Sequence, residues 1–124
     1  MQINNIDKDS AELILNKSGI DSLIKMLEFA LKELEYEYFT RTGFYETDTQ
    51  ELIKKFTGYL QIEDEEIKAM VSHKEIFNLR QNLNEILYAI QIENYDLLFG
   101  MSENTLDVVF KLIDKYEDAY RIWN

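Results

Sequence analysis

His73 is the only histidine in the chain, and therefore the only imidazole available as a general base or a metal ligand. It directly follows Ser72, where a helix is expected to begin, so we interpret it as an exposed first-turn residue. Cysteine is absent, which excludes disulfides, thiolate metal sites and cysteine nucleophiles. Glycine-rich phosphate loops, the Gly-x-Ser-x-Gly elbow and the His-Glu-x-x-His motif are also missing. We therefore predict no enzymatic activity, no cofactor and no metal.

Carboxylates are the reactive groups that remain. Glu33 and Glu37 lie one helical turn apart and could share a proton or a metal, but no second helix offers the matching Glu-x-x-His pair. The other acidic group is the unbroken run Glu63, Asp64, Glu65 and Glu66. This run lacks the alternating ligands and the glycine of a calcium-binding loop. We interpret it as a solvated acidic turn and as a candidate contact for a partner.

The most distinctive segment interleaves carboxylates with aromatic rings. It reads Glu33, Leu34, Glu35, Tyr36, Glu37, Tyr38, Phe39. On a helix, Glu33, Tyr36 and Glu37 fall close together, while Leu34 and Tyr38 turn to the core. Carboxylates attract Lys and Arg groups, and Tyr rings bury area at low entropic cost, so the segment predicts a surface for a basic protein partner. The alternative is that the tyrosines are ordinary half-buried helix residues.

Arg41 follows this segment and is one of three arginines in the chain. In so acidic a protein we expect it to pair with a nearby carboxylate, and we also include it among the candidate partner contacts. The C-terminal aromatic group consists of Tyr116, Tyr120, Arg121 and Trp123. These side chains predict core packing, with a homodimer contact as the alternative.

Composition limits the class of protein. The chain has 124 residues, of which 24 are acidic and 13 basic, giving a net charge of −11, and 46% of its residues are apolar. These values predict one folded domain over residues 1–124. No apolar run approaches 18 residues and no signal peptide is evident, so we expect a cytoplasmic protein. The negative charge argues against direct binding to nucleic acid or to an anionic membrane.

Helical periodicity recurs along the chain. Apolar residues at helical spacing are Ile24, Leu27, Leu31 and Leu34 in one stretch, and Val109, Ile113 and Tyr116 in another. Ser18 or Asp21 is the expected cap of the first helix. Ser72 and Glu75 match a capping box, which predicts a helix over residues 73–91, and a last helix is predicted over residues 103–122. Gly43 and Gly100 are expected at helix ends with positive φ.

Two segments are less regular. Residues 10–15 read as a short strand or an early helix, and we favour a helix or irregular structure because no strand to pair with them is evident. Residues 58–71 predict a short helix that begins near Glu63 or Asp64, with the acidic run at the positive end of its dipole. The predicted fold class is therefore all-α, a single-domain bundle of about five to six helices.

The chain also contains a degenerate internal repeat. Apolar residues of the first helix recur 52 positions later, and the match resumes at a spacing of 57 from Gly43 to Gly100. We expect either two helix-turn-helix repeats, over about residues 18–57 and 72–122, or two amphipathic hairpins that converged on one pattern.

The overall character of the chain resembles a known class of proteins. The helix-end pattern Phe39, Thr40, Arg41, Thr42, Gly43, Phe44, with the acidic and aromatic residues before it, is similar to the small acidic immunity proteins that bacteria pair with polymorphic or contact-dependent toxins. The resemblance implies a stoichiometric antitoxin that covers the active site of a toxin, often a basic nuclease. It implies a basic protein partner such as a toxin domain.

Two other functions are consistent with the same residues. A structural or regulatory protein would use its aromatic surface for self-association as a homodimer. An acidic nucleic-acid mimic would place its carboxylates along one elongated face, against which Lys54 and Lys55 argue mildly.

Overall fold

Three antiparallel strands and six α-helices make up the part of the chain described by the computed structural model, which covers the backbone of residues 1–123 and the side chains of residues 1–119. The strands are β1 (Gln2–Asn5), β2 (Ser10–Leu15) and β3 (Ile67–Ser72). The helices are α1 (Lys17–Leu34), α2 (Tyr38–Thr42), α3 (Glu46–Tyr59), α4 (His73–Tyr88), α5 (Tyr95–Phe99) and α6 (Glu103–Trp123), with a 3₁₀ turn at Glu35–Glu37 between α1 and α2. The all-α prediction is therefore wrong, because the chain is a mixed α and β protein.

Residues 10–15 and 67–72 are strands because their burial alternates with a period of two. Ala11, Leu13 and Leu15 point into the core, and the residues between them are only half-buried. In β3, Ile67 and Val71 are buried while Lys68 lies in solvent. The short helix predicted near Glu63 does not form, since α3 ends at Tyr59 and residues 61–66 are a turn and a loop.

The sheet has the order β1-β2-β3, and both pairings are antiparallel. In the β2–β3 pair, Leu13 faces Ala69 at the centre, with Ala11 opposite Val71 on one side and Leu15 opposite Ile67 on the other. This pairing joins two segments more than 50 residues apart, so it sets how the two halves of the chain meet.

The caps of the long helices follow from local hydrogen bonds. In α4, the Glu75 amide donates to Ser72 Oγ at 3.1 Å and the Ser72 amide donates to Glu75 Oε1 at 2.9 Å, which confirms the capping box. The cap of α1 is Asn16, whose Oδ1 accepts from the Gly19 amide at 2.8 Å, and not Ser18 or Asp21. Gly43 and Gly100 end α2 and α5 with φ of 81° and 67°, as predicted.

Each half of the chain contains one strand, one long helix, one short helix and a second long helix, in that order. The first unit is β2, α1, α2 and α3, and the second is β3, α4, α5 and α6. Equivalent positions lie 56 residues apart in the strands and first helices, and 57 apart from α2 onward. Fully or almost fully buried equivalent pairs are Ile20 and Ile76, Leu23 and Leu79, and Leu27 and Leu83. The prediction that the first helices of the two repeats are related by 52 residues is wrong. The prediction of a helix-turn-helix repeat unit without a strand is also wrong, because each unit begins with a strand.

The two units are related by an approximate two-fold axis. The axis passes through the pair Leu13 and Ala69, which occupy equivalent positions in the two units. A rotation about it places the pair Ala11 and Val71 on the pair Ile67 and Leu15. Helix contacts follow the same rule, because α1 packs on α3 and α5, and α4 packs on α6 and α2. The long helices α1 and α4 also contact each other, so each unit covers apolar surface that the other exposes.

One buried polar cluster distinguishes the first unit from the second. The Tyr38 hydroxyl donates to Asn82 Oδ1 at 2.8 Å and lies 2.5 Å from Thr49 Oγ1, and Thr49 is bonded to Asn78 at 3.0 Å. Burial raises the pKa of Tyr38, which keeps its hydroxyl a donor. Among the residues whose side chains are described, the hydroxyl of the equivalent Tyr95 makes one hydrogen bond, to the carbonyl oxygen of Ile86 at 3.1 Å.

The two tyrosines offer a matched test of this cluster. We expect Tyr38→Phe to lower the free energy of unfolding by about 1–3 kcal/mol, because it leaves the buried Asn82 oxygen without its donor. Tyr95→Phe should lower it by less, about 1 kcal/mol, because it removes one described hydrogen bond where Tyr38→Phe removes two. Urea denaturation of both variants measures the difference. Equal losses would show that the cluster adds nothing to the fold beyond a single hydrogen bond.

Candidate functional site: two acidic surfaces

The predicted contact residues divide into two groups at opposite ends of α1. Residues 33–41 lie where α1 ends, and Glu63 to Glu66 line a cavity with Asn16, Lys17 and Ser18, where α1 begins. The helix has 18 residues, which corresponds to about 27 Å at 1.5 Å per residue. The structure therefore does not bring the two groups into one site.

At the first surface, α1 stops at a strained residue. Glu35 has φ 47° and ψ −124°, and it is the one non-glycine residue with positive φ in the described chain. Its amide still donates to the Leu31 carbonyl, so the helix ends there and the chain turns into the 3₁₀ segment. Backbone strain of this kind often occurs at functional sites. The sequence did not predict this break, because we expected the helical stripe to continue to Tyr38.

The turn exposes the side chains that the sequence singled out. Tyr36 is 89% exposed, and Glu33, Glu35 and Glu37 are also in solvent. Tyr36 is thus the apex of a protruding turn with carboxylates on either side. Leu34 and Tyr38 are buried, 6% and 1% exposed, which confirms their predicted orientation toward the core.

A stacked pair of aromatic rings adjoins the turn. The rings of Phe39 and Tyr45 stack with centroids 4.6 Å apart and an interplanar angle of 22°, yet they remain 49% and 63% exposed. The left-handed Gly43 reverses the chain between them. Sequence reasoning missed Tyr45, although the expected turn at Gly43 was the signal that could have placed it. We call Glu33, Glu35, Tyr36, Glu37, Phe39 and Tyr45 together the acidic–aromatic surface.

Arg41 lies beside this surface and is held from within the protein. Its Nε donates to Glu85 Oε1 at 3.1 Å and its Nη2 to Glu85 Oε2 at 2.8 Å, a bidentate pair. The Glu85 side chain is only 7% exposed, and Glu37 lies 4.0 Å from the guanidinium on the other side. The hydrogen bond and the charge of Glu85 raise the pKa of Arg41. The pair fastens α2 to α4, so the expected pairing of Arg41 with a carboxylate is confirmed.

The second surface is a groove of about 810 Å³ beside the start of α1. Glu63, Asp64, Glu65 and Glu66 are exposed on a loop along this groove. The first turn of α1 has no acidic residue of its own, so these carboxylates bring negative charge near the positive end of its dipole.

His73 is half-buried rather than exposed. Its Nε2 lies 3.5 Å from Glu117 Oε2, and Glu117 is 1% exposed. Tyr116 packs partly buried against the core, with its ring 6.5 Å from that of His73. The side chains of Tyr120, Arg121 and Trp123 fall outside the described residues. In the part of the chain whose side chains are described, no three His, Asp or Glu residues form a group that could hold a metal ion.

Comparison with known proteins gives no relative whose function could be considered for this chain. No protein-family model matches the chain, and no curated protein or solved structure is significantly similar to it. Across the described residues, no helix combines the length and the apolar character needed to cross a bilayer.

The strain at Glu35 can be measured by substitution. Glycine accepts positive φ without penalty, so Glu35→Gly should raise the free energy of unfolding by about 1 kcal/mol. Glu28→Gly is the matched control, because Glu28 is exposed within α1 and its replacement should lower the same quantity by about 1 kcal/mol. Urea denaturation gives both values. A loss of stability in Glu35→Gly as large as in the control would contradict the strain.

The role of Arg41 can be separated from surface charge by a pair of substitutions. Glu85→Gln removes the charge that receives both bonds from the guanidinium, whereas Glu37→Gln removes a more distant, exposed charge. We expect a clear decrease in thermal midpoint for Glu85→Gln and almost none for Glu37→Gln. Similar thermal midpoints for the two variants would show that the Arg41–Glu85 pair stabilises the protein no more than an exposed ion pair does.

Proposed function

We propose that this chain is a protein-binding module that holds a basic protein partner through the acidic–aromatic surface. The observation that carries the proposal is Tyr36, 89% exposed at the apex of a strained turn and flanked by three exposed carboxylates. A tyrosine ring has only two side-chain torsions to fix, so a partner can cover its large area at low cost in conformational entropy. Tyr is also among the residues that contribute most of the energy of protein interfaces.

The neighbouring rings enlarge this contact. Phe39 and Tyr45 lie stacked and half-exposed, three and nine residues after Tyr36, and they add aromatic area that a partner could cover. The surrounding carboxylates and the net charge of −11 favour a cationic partner and increase its rate of encounter. Because Arg41 is bound to Glu85, its charge is largely compensated from within.

The biological role that we propose is neutralisation of a toxin. In this proposal the chain acts in the cytoplasm as a stoichiometric, non-enzymatic antitoxin of the immunity type, and its partner is a basic toxin domain whose active site it covers. It uses no cofactor. The support is the combination of strong negative charge and exposed aromatic rings, which suits a surface that substitutes for an acidic substrate.

Self-association is the second candidate function. Leu97 and Leu98 on α5 are 80% and 40% exposed, and Val108 on α6 is 65% exposed. Such apolar side chains could form a contact between two copies of the chain. A nucleic-acid mimic has less support, because the two acidic surfaces lie at opposite ends of α1 rather than along one face.

Charge reversal tests the proposed surface. The partner is first captured from a lysate of the source cells in one-to-one amount, and its binding is then measured by surface plasmon resonance at low and moderate salt. We expect Glu35→Lys with Glu37→Lys to lower the association rate by at least about tenfold at low salt, and by less at moderate salt. Tyr36→Ala should mainly increase the dissociation rate.

The matched control is Glu93→Lys with Asp118→Lys, which reverses the same charge at exposed positions outside both acidic surfaces. If both double variants slow association equally, only the net charge of the protein steers the partner. If neither changes the rates, the acidic–aromatic surface is not the binding site. A bait that recovers only itself as a dimer would favour self-association.

A further inference from the structure

The two-fold repeat creates two equivalent clefts, one beside the start of α4 and one beside the start of α1. The lining of the first, the narrow cleft of about 210 Å³, includes Phe44, Asp48, Leu52, Lys74 and Glu75. The lining of the second, the wide cleft of about 480 Å³, has Met101, Thr105, Val109, Ser18 and Gly19 at the same positions. The repeated fold therefore forms the same cleft twice at different widths.

The chain's own side chains fill the narrow cleft. The Phe44 ring is 6% exposed and packs against Phe77, with centroids 5.8 Å apart. Glu75 lies across the cleft and binds Lys55 Nζ at 2.8 Å. Asp48 accepts from the Tyr45 amide at 3.1 Å. An aromatic ring and charged side chains thus occupy the space that this geometry creates.

The wide cleft lacks these fillers. Methionine replaces the ring of Phe44, threonine replaces Asp48, and glycine replaces Glu75. Its floor is apolar, because Leu15, Leu23 and Val109 are buried there, between 1% and 8% exposed. The apolar surface that a ligand could still cover therefore lies on Met1, which is 36% exposed, and on the half-buried Met101.

The wide cleft is continuous with the acidic groove. Both cavities share the lining residues Met1, Leu15, Asn16 and Ser18. The groove adds the four carboxylates of residues 63–66, which outweigh the charge of Lys17 in its lining, and Asp96 lies on the other side of the wide cleft. An occupant thus meets an apolar floor with negative charge on either side.

We propose that the wide cleft and the acidic groove together bind a basic segment of a protein partner, which inserts one aromatic side chain beside Met101, into space that the larger Phe44 ring fills in the narrow cleft. The narrow cleft indicates the shape of the anchor, and the carboxylates indicate the charge of the residues beside it. The basic character of the partner rests on the proposed function, but the surface is separate from the acidic–aromatic one. It gives the protein a second contact at the other end of α1.

The test uses short peptides and ¹H–¹⁵N correlation spectra of the full chain. The probe is acetyl-Lys-Lys-Phe-Lys-Lys-amide, with versions in which alanine replaces phenylalanine or glutamate replaces lysine. We expect the first peptide to shift the amide signals of Gly19, Gly100 and Thr105. The alanine and glutamate versions should bind roughly tenfold more weakly or worse, because they lose the buried ring or the complementary charge.

Two variants locate the site. Met101→Trp should fill the wide cleft and abolish the shifts, while Leu97→Trp adds the same ring to an exposed position on α5 and should leave them unchanged. Equal binding of the phenylalanine and alanine peptides would overturn the proposal, as would shifts that map elsewhere or persist in Met101→Trp. Shifts that depend on protein concentration without peptide would identify a second copy as the occupant and also overturn it.

The outcome of the peptide titration can be told apart from the outcome of the charge-reversal experiment. If the peptides fail while the captured partner still responds to charge reversal at Glu35 and Glu37, only the wide cleft is excluded. If the peptides bind and the charge reversal leaves the partner's association rate unchanged, the wide cleft is supported as a binding site and the acidic–aromatic surface is excluded.

Discussion

The pairing of β2 with β3 is the constraint on which the rest of the structure depends. Leu13 and Ala69 face each other at the centre of this ladder, and the two halves of the chain are arranged around them with approximate two-fold symmetry. Each half has apolar helix faces that it cannot bury alone, and the ladder brings α1 and α4 into contact so that they share one core. The positions of the short helices, the clefts and both acidic surfaces follow from this arrangement.

A repeated scaffold explains why the two ends of the protein differ in chemistry while sharing geometry. Equivalent positions carry a hydrogen-bonded Tyr38 cluster in one half and a simpler Tyr95 contact in the other. Exposed Thr40 and Arg41 on α2 correspond to exposed Leu97 and Leu98 on α5. Core positions must remain apolar in both halves to preserve packing, whereas surface positions can change freely. The proposed binding surface therefore lies where the side chains of the two halves differ.

Local signals in the sequence predicted local structure well. The Ser72 capping box, the positive φ of Gly43 and Gly100, and the burial of Leu34 and Tyr38 are all as expected, because each depends on neighbours within one or two helical turns. The strands were missed because a six-residue apolar stretch is ambiguous by itself, and the partner that makes residues 10–15 a strand lies at 67–72. The exposed Phe39 and Tyr45 stack and the strain at Glu35 arise from tertiary geometry, which periodicity alone does not encode.

We propose that the acidic–aromatic surface meets the partner, and hydrogen–deuterium exchange of the complex separates this surface from every other segment of the chain. Amide exchange of the full chain is compared with and without the captured partner, peptide by peptide. We expect the partner to slow amide exchange most within residues 33–45, where the turn and the aromatic stack lie. Strong protection confined to other segments, with residues 33–45 exchanging as in the free protein, would contradict it.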